Sequence, residues 1–160
     1  MVNCRFSDSN HCAEMNRLSR YGHICFAGLG PVSWCSKSVP AVTLSSCESE
    51  LFAATETGCE LIFVAKLQAE IFLLKPLTGE TSIIAPRLLI DNKSALEVIS
   101  KPGFHSLLRH VDIECKWIVQ KSSQKQIAVE WIPGKLNAAD IMTKPFARMR
   151  LNELKYMELN

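Results

Sequence analysis

Residues 45–72 read SSCESELFAATETGCELIFVAKLQAEIF, and this stretch decides the fold. Helix formers dominate it. Leu51, Ala54, Gly58, Leu61, Ile62 and Ala65 recur at three- and four-residue steps, which lines them along one side of a helix. Ser45 followed by Glu48 has the spacing of a capping box and sets the start. Pro76 and Gly79 close the region. A long helix with an apolar stripe needs a surface to bury it against, and the flanking segments read as the strands of a sheet.

Upstream, Val2 to Ser7 predicts a short first strand, and the polar run from Asp8 to Arg20 predicts a turn or loop. Tyr21 to Leu29 (YGHICFAGL) is aromatic and β-branched, which favours a strand. Gly30-Pro31 marks a turn. Val32 to Ser38 then alternates apolar and polar, so the two strands form an antiparallel hairpin. Downstream, Arg87 to Ile90 is a compact apolar strand that stops at Asp91. Ser94 and Glu97, again at capping-box spacing, open a short helix to Ser100, broken by Pro102-Gly103. His105 to Lys121 reads as a helix with Leu108, Val111, Cys115 and Ile118 on one side. Gln126 to Ile132 alternates as a strand and ends at Pro133-Gly134. Asn137 caps a final helix that Pro145 interrupts or ends. The order β-β-β-α-β-α-α-β-α predicts an α/β fold, a mixed sheet with helices packed on it.

The 160 residues suit one domain, with a core over about 2–146 and a helical tail over 147–160. With 48% hydrophobic and 21% charged residues, the chain can build a core and is not disordered throughout. A net charge of +2 excludes a histone-like basic binder and leaves room for a local nucleic-acid groove. The seven cysteines are scattered and form no CxxC pair. Neither His23 with Cys25 nor His11 with Cys12 is followed by a second pair at zinc spacing, so reduced thiols are expected. Location in the cytoplasm or nucleus follows, rather than secretion: no apolar region suited to a signal peptide follows Met1, and no apolar run reaches membrane-spanning length.

Four carboxylates fall at the ends of these elements. Asp8 follows the first strand, Glu50 lies in the first turn of the long helix, Asp91 ends the middle strand, and Asp140 lies in the first turn of the last helix. Gathered at one sheet edge, they would raise one another's pKa unless a cation joined them. Such an oxygen set suits Mg²⁺ or Mn²⁺, and two ions about 4 Å apart support phosphodiester cleavage. Each acid also has a structural reading: Asp91 as a cap of the next helix, Asp140 as a first-turn acid favoured by the helix dipole, Asp8 as a turn residue. Glu48 and Glu50 lie about 200° apart around the helix axis, so only one faces the site. The capping role goes to Glu48, which leaves Glu50 for the inner face.

These residues sit inside recognisable strings. Ser33-Trp34-Cys35-Ser36-Lys37-Ser38 and Leu44-Ser45-Ser46-Cys47-Glu48-Ser49-Glu50-Leu51 resemble the pattern W-x-S-K…L-S-S-x-E-A-E of ribonuclease H domains in copia-type retrotransposons. Leu89-Ile90-Asp91-Asn92-Lys93-Ser94-Ala95 is similar to the family's D-N-x-S-A. Phe104-His105-Ser106 with Arg109-His110-Val111-Asp112 is similar to F-H-S-x-x-K-H-I-D. Trp131-Ile132-Pro133-Gly134 with Asn137-Ala138-Ala139-Asp140-Ile141-Met142-Thr143-Lys144-Pro145 resembles the closing P-x…N-x-A-D-I-x-T-K-P. The strings run in order from about Phe6 to Phe146.

The resemblance implies the ribonuclease H fold: a five-stranded mixed sheet, its third strand antiparallel, with helices on both faces. It implies an endonuclease for the RNA strand of RNA–DNA hybrids, with two Mg²⁺ ions (or Mn²⁺) and a reverse transcriptase domain in the parent polyprotein. A virus-like particle in the cytoplasm, or the nucleus, would be its setting. Asp8 would be shared by both ions, Glu50 and Asp91 would complete one metal site, and Asp140 the other. Arg109 and His110, inside a family string, are the first choice for backbone contacts. Lys144 is a second cation near the acids, and Asn92 either reads a hydroxyl or caps its helix. The other lysines between Lys101 and Lys125 read as a solvated face, and Trp34, Trp117 and Trp131 as core. Two departures stand out. After Asp8 the string is Ser9-Asn10-His11, where the family carries a second acid and a Trp. The loop Pro133-Gly134-Lys135-Leu136 lacks the His that helps product release in cellular ribonucleases H, so slow turnover is expected. The rival reading is an inactive or domesticated domain that binds nucleic acid or packs against a reverse transcriptase.

Overall fold

The computed structural model describes residues 2–12, 14, 17–28, 30–71, 85–101 and 113–145. Five strands form one sheet in the order β3-β2-β1-β4-β5: β1 Val2–Asn10, β2 Arg20–Ala27, β3 Gly30–Ser38, β4 Arg87–Ile90 and β5 Ala128–Trp131. The first three strands make an antiparallel meander, while β4 runs parallel to β1 and β5 parallel to β4. The strand that opposes all the others is therefore β2, not the third. Each hairpin connection reverses the chain, so β3 returns to the direction of β1.

The sheet has helices on both faces. On one lie α1 (Ser46–Ile71), α2 (Lys93–Ser100) and α3 (Ile113–Ser123). Leu51, Ala54 and Leu61 of α1 pack there with Leu88 and Ile90 of β4, Ala95 and Ile99 of α2, Cys115 and Ile118 of α3, and Ile127. On the other face, Ile24, Phe26 and Phe6 meet Ala138, Ile141 and Met142 around the short α4 (Asp140–Thr143). Strand alternation assigns the faces: Tyr21 of β2 packs with Ala53 of α1, while Ile24 and Phe26 face α4. At Gly22 on that second face, an added Cβ would overlap Met142 Cβ, so the missing side chain is what lets α4 lie directly on β2.

Several boundaries differ from the sequence reading, each for a local reason. β1 continues to Asn10 because Asp8, Ser9 and Asn10 pair with Gly22, Tyr21 and Arg20, so tertiary partners override their turn propensity. The hairpin turn falls earlier, with Gly28 at φ 65°, and Gly30-Pro31 begins β3. Pro31 is tolerated because β3 is an edge strand and the register shifts opposite it, between Cys25 and Phe26. Trp34 is not core: on this edge strand it is 63% exposed.

At α1 the expected cap forms: the Glu48 N–H donates to Ser45 Oγ at 3.1 Å, and Glu48 Oε2 accepts the Leu44 N–H at 2.6 Å. The second expected box does not form. α2 starts one residue earlier, capped by Asn92, whose Oδ1 accepts the Ala95 N–H at 3.0 Å. Cys115 and Ile118 of α3 are buried as their spacing predicts, whereas Leu108 and Val111 lie outside the described residues, as do Pro76, Gly79, Pro102 and the tail. α4 ends at Thr143, and Lys144 is extended (φ −125°, ψ 142°), the conformation favoured before a proline. Its cap is Ala139 rather than Asn137.

Candidate functional site: an acidic cluster at the sheet edge

Because β1 and β4 are parallel neighbours, their C-terminal ends open at the same edge of the sheet. Asp8 points from β1 toward the α4 side, and Asp91 follows the last residue of β4. Asp140 is the first residue of α4. Asp8, Asp91 and Asp140 each offer a carboxylate oxygen within 4.8 Å of the other two. Asp8 and Asp140 are buried, at 1% and 8% exposure, and Asp91 is half-buried.

Asn137 sets this meeting. Fully buried, it donates from Nδ2 to the Ser7 carbonyl at 2.9 Å, and its Oδ1 accepts the Ala139 N–H at 3.1 Å. One side chain therefore ties the turn that carries Asp140 to the strand that carries Asp8. Thr143 Oγ1 donates to Asp8 Oδ2 from the far end of α4. The loop after β5 passes so close that a Cβ on Gly134 would sit 2.9 Å from Asp91 Oδ2.

Glu50 stands beside this group rather than within it. Its Oε1 accepts the Ser9 N–H at 3.1 Å, while Oε2 is buried without a partner. The four acids are thus three mutual neighbours and one adjoining buried acid, Glu50, which is bonded to the backbone of β1. The choice of Glu50 over Glu48 for the inner face holds: Glu50 is 6% exposed and Glu48 caps α1.

No family profile matches the chain. Among curated proteins it is similar to retrovirus-related Pol polyproteins from transposons. Identity is 28% over 151 residues to TNT 1-94 of Nicotiana tabacum, covering 94% of this chain and 11% of that protein. For RE2 of Arabidopsis thaliana it is 27% over 145 residues, covering 90% and 10%. The chain thus spans about a tenth of the length of the curated relatives it matches. Among solved structures it is similar to the N-terminal RNase H domain of Rv2228c from Mycobacterium tuberculosis, solved as a fusion with maltose-binding protein. That likeness has a TM-score of 0.54 at 11% identity and covers 98% of this chain and 96% of the other. The chain has the ribonuclease H fold. The resemblance to copia-type transposon polyproteins read from its strings holds.

On the ribonuclease H sheet the acids are strongly perturbed. Burial, with the charges of Asp8 and Asp91, pushes Glu50 up to about 8 against the hydrogen bonds from Ser9. Burial likewise raises Asp8 to about 6, opposed by the Thr143 hydroxyl and Lys144 and assisted by Asp140 and Asp91. Asp91 is raised by burial and by Asp140. Lys144 Nζ lies 2.5 Å from Asp140 Oδ1 and 3.4 Å from Asp8 Oδ2. Burial disfavours its charge, but these acids and Asp91 outweigh burial and raise its pKa.

A pH dependence follows. Glu50 titrates near 4.5 when unfolded and near 8 when folded, so between these values the folded chain holds the extra proton. Its contribution to stability is full below 4.5 and is lost as pH rises through about 8. Without divalent cations the melting temperature should fall from about pH 5 to about pH 8.5. Glu50→Gln should flatten that slope. Melting curves across this range check it, and an unchanged slope in the variant contradicts the assignment.

The remaining site expectations divide. Lys144 lies among the acids. Asn92 takes the capping role through Oδ1, which leaves its Nδ2 unassigned. Arg109 and His110 lie outside the described residues. Trp131, expected in the core, is 40% exposed; its Nε1–H donates to the Asp91 carbonyl at 3.0 Å, and Lys93 Nζ lies 4.6 Å from its ring centre. Trp131 and Thr143 therefore border the acids, a place the sequence did not assign to either. For Thr143 a signal existed in the Thr143-Lys144-Pro145 string.

Proposed function

We propose that the chain is an endonuclease that hydrolyses the RNA strand of RNA–DNA hybrids. The observation that carries this reading is the convergence of Asp8, Asp91 and Asp140 within 4.8 Å on a ribonuclease H sheet. The donor set fits a divalent cation: all carboxylate oxygens, crowded together with two of the three acids buried, and an orphaned Glu50 oxygen beside them. Asp8, Asp91 and Asp140, with Glu50 alongside, would hold Mg²⁺ (two ions) or Mn²⁺. Bound there, the metal would supply water activation and charge stabilisation for the leaving oxygen.

The chain's own groups supply the rest. Asn137 and Thr143 fix the two buried acids, so their geometry is set before substrate arrives. Lys144 is placed to meet a phosphate beside the acids. Asn92 Nδ2 and the exposed Trp131 border Asp91, where an RNA 2′-hydroxyl would be read. Arg109 and His110 remain proposed backbone contacts, and a reverse transcriptase domain the proposed partner within a Pol polyprotein. We place this in a virus-like particle in the cytoplasm, or in the nucleus. Among the described residues no helix is long and apolar enough to cross a membrane.

A second reading has one observation in its favour. Lys144 already pairs with Asp140 and Asp8 from within the chain, as suits a domain that binds hybrid or packs against a polymerase without cutting. End-labelled hybrid incubated with the chain and Mg²⁺ separates the two. The nuclease reading expects cuts in the RNA strand alone and none in duplex DNA; binding without any cleavage supports the second.

A further inference from the structure

The turn after β1 carries a different set of reactive groups. Cys12 is exposed, and its Sγ lies 3.3 Å from His11 Nε2, within hydrogen-bond reach for a thiol. The other ring nitrogen, Nδ1, faces Thr43 Oγ1 at 3.1 Å and Ser19 Oγ at 3.3 Å. These hydroxyls lie 2.7 Å apart and are buried, Ser19 at 0% and Thr43 at 7% exposure. Ser19 Oγ also accepts the Cys12 N–H at 3.2 Å. Cys12 itself is held at φ 53°, in the left-handed region that non-glycine residues rarely adopt. A nucleophile, a base within reach and buried groups that orient the base make up the arrangement of an activated thiol.

We propose that Cys12 is a redox-modification site, at which His11 activates the thiol to exchange with a low-molecular-weight disulfide of the glutathione type. Thr43 Oγ1 accepts the proton on His11 Nδ1, which turns the bare Nε2 lone pair toward sulfur. As Cys12 Sγ attacks one sulfur of the disulfide, its proton passes to Nε2. A bond forms between Sγ and that sulfur, the disulfide bond breaks, and the departing thiolate takes the proton from Nε2. Cys12 is oxidised to a mixed disulfide, and the half of the disulfide that departs is reduced to a thiol. Thr43 and Ser19 are positioning residues. The inference stands independently of the nuclease reading.

The test uses the reduced chain with glutathione disulfide near neutral pH, quenched in acid at intervals and peptide-mapped by mass spectrometry. Cys59, the other exposed cysteine among the described residues, is the control within the same molecule. Cys12 is expected to react at least ~10-fold faster than Cys59, a modest share of what a positioned base supplies. His11→Ala should remove most of that advantage without changing Cys59, and added imidazole should restore part of it. Thr43→Ser should keep the rate and Thr43→Val lower it. A Cys12 rate no greater than that of Cys59, or one unchanged in His11→Ala, overturns the proposal. Loss without imidazole rescue overturns the role of His11 as base, and equal rates in both Thr43 variants overturn its orienting role.

Discussion

Asp91→Asn should lower hybrid cleavage by at least ~10²–10³-fold, the loss expected when a preorganised charged group at a reaction centre is removed. It should do so without unfolding the chain. The carboxylate of Asp91 lies in mutual range of Asp8 and Asp140. It is not needed to start α2, because Asn92 makes that cap. The substitution keeps the shape of the side chain and one acceptor oxygen. It also removes a charge that raises the pKa of both Asp8 and Glu50, so metal-free melting should hold steady or rise. Single-turnover cleavage with a melting curve on the same sample checks both halves. A variant that still cuts at the native rate takes Asp91 out of the chemistry.

The largest stability effect at the site is expected at Asn137. Asn137→Ala strips the Ser7 carbonyl and the Ala139 N–H of their side-chain partner in a fully buried position. Leaving buried polar groups unmatched and opening a small void should cost about 2–4 kcal/mol. The damage is directional, since the link lost is the one between the strand of Asp8 and the turn of Asp140. Cleavage should therefore fall further than stability alone accounts for. Urea unfolding measures the first effect and activity per folded molecule the second; a cost below about 0.5 kcal/mol would mean that the turn holds itself in place.

How much of this was legible in the sequence depends on the range of the interaction. α1 was readable because its cap at Ser45 and its stripe from Leu51 to Leu61 are local patterns that burial then confirms. β4 was readable because a short apolar run ending in Asp91 has few other uses. The reach of β1 to Asn10 was not, because polar residues there form strand only through pairing with β2 and burial beneath α1 and α4. Nor was the start of α2, because Asp91, Asn92 and Ser94 all offer caps within four residues, and Asn92 makes the bond. Trp34 and Trp131 read as core because strand alternation shows periodicity, not which strand lies at an edge. Both flank the sheet at its outermost strands. The acids themselves were visible as residues at element ends. Their distances were not, since these depend on the parallel pairing of β1 with β4 and on Asn137. Glu50 is anchored beside them by one backbone N–H, that of Ser9, which no side-chain pattern reports.

Crystals of the chain soaked in Mn²⁺ and measured at a wavelength where manganese scatters anomalously test the central claim most directly. The account predicts an anomalous peak bonded to Asp8, Asp91 and Asp140 at about 2 Å, with Lys144 displaced from between the acids. Saturating Mn²⁺ that leaves the three carboxylates without a peak, and Lys144 still bonded to Asp140, would contradict it.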